Sequence, residues 1–207
     1  EPRQAYDAIG IQDLPDVGTL GRVNFLYHGT LGLRESISRR TLIHLKEHLD
    51  VPVLVDVNLR DPWWNVDTTP DQIRSSAWVK VNQDEVGLLS GKPVASVTEV
   101  VDAARALRED LSLGTVVVTR GEEGALAIGD DGMVQVEAPE VGEIVDTVGA
   151  GDGFSAVLAL GIHGGWPLDL TLSRAAELAA ELCRIRGATP DDPDLYFRLS
   201  RRWNRAQ

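Results

Sequence analysis

Apolar positions along the chain fall into short Val-rich runs separated by stretches of helical spacing. Val23–His28 is a compact apolar run closed by Gly29, which predicts a buried strand. From Ser36 to Leu49 the spacing becomes helical, with Leu42, Leu45 and Leu49 on one face. Val51–Val57 predicts a second buried strand, with Pro52 at its start, where proline is tolerated. Ser76–Val81 predicts a third strand and Thr115–Thr119 a fourth, with helices over Asp84–Ser90 and Val97–Leu111 between them. Gly124–Ile128 and Met133–Glu137 flank Gly129-Asp130-Asp131-Gly132, a hairpin turn. Helices are predicted over 153–163 and 169–186, then a polar segment with Pro190 and Pro193, then a short helix to Trp203. Residues 1–21 are mixed and predict a short helix plus a loop, with Leu14-Pro15, Gly18 and Gly21 as breakers.

Strands that alternate with helices and read as near-continuous valine imply a mostly parallel sheet covered on both faces. Ligands in such sheets sit at the carboxyl ends of the strands. Three predicted strands end in polar groups: Asp56-x-Asn58-x-Arg60, Asn82, and Thr119-Arg120-Gly121. No repeat, low-complexity tract or linker divides the 207 residues, a length that suits one domain with a sizeable core.

Composition narrows the partners. A net charge of −12 argues against nucleic acid or an anionic membrane surface. No apolar run is long enough to span a bilayer. Cys183 is the single cysteine, which fits a reducing, cytoplasmic setting, and its neighbours predict a buried, inert thiol. The chain starts at Glu1 without an initiator methionine, so the expectation is that further natural sequence precedes it.

The densest chemistry lies in Asp146-Thr147-Val148-Gly149-Ala150-Gly151-Asp152, ahead of the apolar helix. Small residues let backbone amides approach a ligand, and the first amides of a helix have no intrahelical acceptor. With the helix dipole behind them, they favour an anion. Asp152 is then a carboxylate where a phosphate would bind, which suits a group that takes a proton from an attacking hydroxyl. The plainer reading makes Asp152 a helix cap and the glycines a tight turn. No Walker loop is present; the nearest approach, Gly87 to Pro93, is one residue short.

The other candidates also have plain readings. Arg60 could pair with Asp56 at a polar strand exit, Asn82 could cap the helix that carries Glu85, and Thr119-x-Gly121-x-x-Gly124 could be a hairpin entry. His44-Leu45-Lys46-Glu47-His48 spells an inverted zinc-peptidase pattern. Because Leu42, Leu45 and Leu49 define the buried face, the two histidines fall on the solvated side, and no third ligand is indicated.

Taken together, the heptad resembles the C-terminal signature of the ribokinase-like sugar kinases, the phosphofructokinase-B family. Asp56-x-Asn58-x-Arg60 with Trp64 resembles a segment of its fructokinases and 2-keto-3-deoxygluconate kinases. Asn82-x-x-Glu85 and Thr119-x-Gly121-x-x-Gly124 match further family motifs in order, and the resemblance runs from about Phe25 to Pro190. It implies a three-layer α/β sandwich, a mostly parallel sheet with helices on both faces and C-terminal hairpin strands. Residues 1–207 would form one such domain lacking the family's N-terminal strands and lid. The implied activity is ATP-dependent phosphorylation of a sugar hydroxyl, fructokinase-type, or else of a keto-acid sugar; a catalytically silent nucleotide-binding relative is the third option.

Within that resemblance Asp152 is the general base, and the amides of Gly149, Ala150 and Gly151 hold the γ-phosphoryl group. Arg60, Asp56 and Asn58 face the substrate, and Asn82, Thr119, Gly121 and Gly124 face the nucleotide. Glu85 reaches Mg²⁺ through a water, and Asp146 ligates a monovalent cation, with K⁺ the candidate. The partners implied are ATP and a small sugar, with a homodimer as the candidate assembly. Ala175-Ala176-Glu177 stands where relatives often carry an asparagine near the adenine. Without the missing strands and lid, the chain alone is expected to bind ATP weakly and to show little fructose-dependent turnover.

Overall fold

The structure, a computed structural model, describes residues 4–205. Among these residues β1 (Leu26–Gly29), β2 (Val53–Asp56), β3 (Trp78–Asn82), β4 (Thr115–Thr119), β5 (Ala125–Gly129) and β6 (Gly132–Val136) form one sheet in that order. β1 to β4 run parallel, with Gly29 opposite Asp56, Asp56 opposite Lys80, and Asn82 opposite Thr119. Their carboxyl ends therefore share one edge, as the strand pattern predicted. The two-residue turn between β5 and β6 makes that pair antiparallel.

The helices are α1 (Ser36–Leu49), α2 (Thr69–Ile73), α3 (Gln83–Ser90), α4 (Val97–Asp110), α5 (Ala150–Gly164), α6 (Leu168–Leu182) and α7 (Asp194–Arg205). Mixed α/β architecture and a mostly parallel sheet agree with the sequence reading. Val79, Val81, Val116, Val117 and Val118 are all fully buried, so both faces of the central strands are covered. Among the described residues no helix is long and apolar enough to cross a membrane.

Several boundaries differ for physical reasons. Residues 4–21 hold three three-residue 3₁₀ turns, Ala5–Asp7, Ile11–Asp13 and Val17–Thr19, where one short helix plus a loop was expected. These turns lie on α1, where the Ser38 hydroxyl donates to Tyr6 O at 2.7 Å and the Thr41 hydroxyl to Ile9 O at 2.8 Å. That contact buries Ser38 and Thr41 with Leu42, and leaves Leu45 and Leu49 half-buried. α5 begins at Ala150, so Gly151 and Asp152 belong to its first turn. α6 stops at Leu182, short of the predicted 186, because the Cys183 carbonyl accepts from Val145 N–H (2.8 Å) and Asp146 N–H (3.3 Å). Cys183 itself is half-buried, and burial pushes its thiol pKa up, in keeping with an unreactive group.

The chain groups into two compact units. The first holds the chain up to Thr119 with Ala127–Gly132, and the second holds Arg120–Leu126 with the chain from Met133 onward. The boundaries run through β5 and its hairpin rather than through a linker.

At the end of β1, His28 sets a pH limit on the first unit. Its Nε2 is buried and has no partner among the described residues, while Nδ1 lies 3.1 Å from Gly29 O. Burial lowers its pKa from 6.5 to about 4. The unfolded chain therefore takes up a proton first, so this stability is complete above the unfolded value and is lost as pH falls toward 4. We expect the denaturant midpoint to drop over that window, and His28→Gln to flatten the part of the drop near pH 6. Parallel wild-type and variant curves would refute the assignment.

Candidate active site

The candidate residues are described unit by unit. In the second unit the chain enters α5 through Gly149, whose φ of +86° is the left-handed conformation that glycine adopts at least cost. A Cβ there would stand 2.7 Å from the Ala188 Cα. The loop before it is pinned by Asp146, whose Oδ1 accepts from Val148 N–H (3.1 Å) and Oδ2 from Gly187 N–H (3.0 Å). These two bonds, Val148 first, hold the carboxyl pKa below its ordinary value. Asp146, expected to ligate a monovalent cation, is thus seen committed to the backbone.

α5 lies close against α6: a Cβ on Gly153 would come within 2.3 Å of Leu182 Cδ1. The end of α6 therefore seats both the start of α5 and, through Cys183 O, the loop that precedes it. In the first turn of α5, Ala150 N–H has an acceptor, Thr147 O at 3.3 Å. The N–H groups of Gly149, Gly151 and Asp152 have none among the described residues. Asp152 is exposed, and its carboxylate makes no hydrogen bond or ion pair among those residues. The cap reading is not realised, because Gly149 holds the cap position and nothing caps through a side chain.

Gly121 and Gly124 lie in the same unit. Gly124 is fixed by the fold, since a Cβ there would fall 2.1 Å from Val136 O. Gly121 faces open space. Glu177, in the Ala175-Ala176-Glu177 stretch of α6, accepts from the Trp203 Nε1–H at 2.6 Å and from Arg202, which anchors α7.

In the first unit the polar strand ends divide into buried and open groups. Asp56, expected at the substrate, is 6% exposed and pairs through Oδ1 with Lys80 Nζ at 2.9 Å. The Tyr27 hydroxyl lies 3.4 Å from its Oδ2. The plainer expectation of an Asp56–Arg60 pair also gives way to Lys80. Arg60 is exposed and has no ion pair among the described residues, and Asn58, exposed too, is held by its N–H to the Thr30 hydroxyl at 3.3 Å.

Glu85 is 7% exposed, with Oε2 accepting from Asn82 N–H (2.8 Å) and Oε1 from Leu59 N–H (2.9 Å). Burial raises its pKa, opposed by these bonds. Expected to reach Mg²⁺ through a water, it is found tying α3 to the Asn58–Arg60 loop. Asn82 caps α3 with Oδ1 on Glu85 N–H (2.8 Å), stays exposed, and leaves its side-chain NH₂ unbonded among the described residues. Thr119 ends β4 beside it, its hydroxyl 3.4 Å from Val81 O.

Among the described residues no group of three or more His, Cys, Asp or Glu could hold a metal ion. The side chains of His44 and His48 stack with ring centroids 3.9 Å apart.

A parallel α/β sheet with polar strand ends in the first unit, and a helix start with open amides in the second, are each features that suit phosphate-bearing ligands. The pfkB family carbohydrate kinase model matches residues 13–195, and the chain belongs to that family. It is 35% identical to the aminoimidazole riboside kinase of Salmonella typhimurium over 69% of this chain and 44% of that protein. It is 34% identical to the 1-phosphofructokinase of Escherichia coli K12 over 62% of this chain and 41% of that protein. The crystal structure of aminoimidazole riboside kinase from Salmonella enterica, complexed with aminoimidazole riboside and an ATP analogue, matches with a TM-score of 0.73 at 29% identity. That match covers 94% of this chain and 67% of that one. The chain spans less than half the length of these curated relatives.

Lys80 and Cys183 O were absent from the sequence-level candidates. A lysine between two valines of a buried strand was the available signal for the first; a backbone carbonyl leaves none. Removing Lys80 alone should strand the buried Asp56 charge. Lys80→Met is therefore expected to cost about 3–5 kcal/mol in chemical denaturation, and adding Asp56→Leu to recover most of it. A single variant within about 0.5 kcal/mol of wild type would show that the pair is not structural.

Proposed function

We propose that this chain carries the nucleotide side and the acceptor edge of an ATP-dependent sugar kinase, fructokinase-type in its choice of a ketose hydroxyl. The observation that carries the reading is the Asp152 carboxylate, exposed and unpaired in the first turn of α5 beside open amides. Asp152 takes the proton from the attacking hydroxyl as its oxygen bonds to the γ-phosphorus and ADP departs. The N–H groups of Gly149, Gly151 and Asp152, with Ala150 beside them, hold the phosphoryl oxygens as charge develops. Asn82, Thr119 and Gly121 contact the nucleotide, and Gly124 shapes their turn. Arg60 presents a planar fork to the sugar or the phosphoryl group, with Asn58 next to it.

In this reading Asp56 and Glu85 support those contacts rather than making them, and MgATP is the phosphoryl donor. The ATP analogue and riboside in the Salmonella enterica structure support the substrate class. A cytoplasmic setting fits the single free cysteine.

Asp152→Asn keeps the shape of the side chain but cannot accept the proton. In the complete protein it should lower kcat by about 10²- to 10⁴-fold and leave ATP affinity nearly unchanged. Coupled ADP release across a panel of neutral sugars, ribosides and sugar acids measures this. Unimpaired turnover by the Asn variant would remove Asp152 from the chemistry.

A further inference from the structure

The first unit contains a cavity of about 230 Å³ beside the acceptor edge, lined by Asn58, Arg60, Arg34, Arg39, Trp63 and Trp64 among others. That volume falls below the range of about 300–1,000 Å³ typical of drug-sized ligands, and suits a monosaccharide-sized fragment. Its charge is unusual for a chain of net charge −12: three arginines line it, and no aspartate or glutamate does.

The three arginines are not equivalent. Arg34 is neutralised by Asp7, which accepts from its Nε at 2.6 Å and its Nη2 at 2.5 Å, and its guanidinium lies 4.2 Å over the Trp63 ring. Its role is to brace the wall. Arg39 donates only to carbonyls, Leu33 O at 3.0 Å and Arg34 O at 3.1 Å, which orient the fork and leave its charge uncompensated. The Arg60 carbonyl accepts from Trp63 N–H at 2.6 Å, and its guanidinium has no hydrogen bond or ion pair among the described residues. Two uncompensated guanidinium groups therefore line one small cavity. Like charges placed together lower stability unless an anion joins them, and a guanidinium fork matches phosphate or carboxylate oxygens. Hydroxyl and amide groups, including Thr30, Asn58 and Gln72, complete the lining and suit a sugar.

We infer that Arg39 and Arg60 form a subsite for an anionic oxo group on the acceptor, so that the preferred substrate is a sugar bearing a phosphate or carboxylate rather than neutral fructose. This rests on the acceptor-edge reading above and narrows it. Arg39 is the specificity-determining residue, and Arg60 serves both the anion and the reacting end.

Calorimetric titration of the complete protein tests the assignment with four probes: fructose, fructose 1-phosphate, 2-keto-3-deoxygluconate and inorganic phosphate. At low salt the better anionic sugar should bind at least about tenfold tighter than fructose, and high salt should shrink that advantage. Which of the two wins distinguishes phosphate from carboxylate. Arg39→Gln should reduce the advantage to less than about threefold, with fructose affinity unchanged. Arg60→Gln, which breaks no observed side-chain bond, should likewise lower the ratio of anionic-sugar to fructose affinity, and guards against misfolding of the first variant. Equal binding of all three sugars, no response to either variant, or inorganic phosphate binding as tightly as the sugar phosphate would overturn the subsite. ADP release by the complete protein separates the two levels. Indifferent phosphorylation of neutral and anionic sugars removes the subsite and keeps the kinase. Arginine-dependent binding of anionic sugars without any transfer keeps the subsite and removes the kinase.

Discussion

The start of α5 can act as an anion site only if the loop before it stays fixed, and the Asp146 carboxylate fixes it. One oxygen holds Val148 within the loop, and the other reaches Gly187 beyond α6. The Cys183 carbonyl adds two bonds from Val145 and Asp146, and Ala188 closes the space a side chain at 149 would need. Fixed donors need no rearrangement when negative charge appears, which is the source of their catalytic value. In this arrangement Asp146 braces the loop, and the carboxylate of Asp152, six residues on, stays open.

A similar division holds in the first unit. Asp56 and Glu85 are buried acidic groups at the strand ends, and each is satisfied by the fold: Lys80 for one, two backbone N–H groups for the other. Glu85 links the start of α3 to Leu59, so the loop carrying Asn58 and Arg60 is braced by the motif that follows it in sequence. The acids are thus satisfied within the fold, while Arg39 and Arg60 line the neighbouring cavity with no acidic partner among the described residues and leave local positive charge there. Such local fields concentrate anionic ligands even where net charge repels them.

Period and punctuation made the strands, the hairpin and the loop-to-helix junction at Gly149 legible in the sequence. Valine runs ending in polar residues located the carboxyl edge, and the heptad located Asp152 and its amides. The distant partners of the other acids were not legible. Asp56, Glu85 and Asp146 are assigned to substrate and cations by resemblance alone, and each also bonds a group far along the chain: Lys80, Leu59 and Gly187, at separations of 24, 26 and 41 residues. Periodicity carries no information about such pairings. The early end of α6 and the 3₁₀ turns of the first segment were likewise decided by tertiary hydrogen bonds. The cavity needed Arg39 on a helix and Arg60 on a loop to meet, which no local pattern announces.

Hydrogen exchange on backbone amides tests the central claim most directly, because that claim concerns which amides receive the nucleotide. Mass spectrometry of the protein with and without a non-hydrolysable ATP analogue and Mg²⁺ would resolve the peptide spanning Val145 to Gly153. The account predicts slower exchange of this peptide, centred on Gly149, Gly151 and Asp152, on adding the nucleotide. Unchanged exchange there, with protection only elsewhere in the chain, would contradict it.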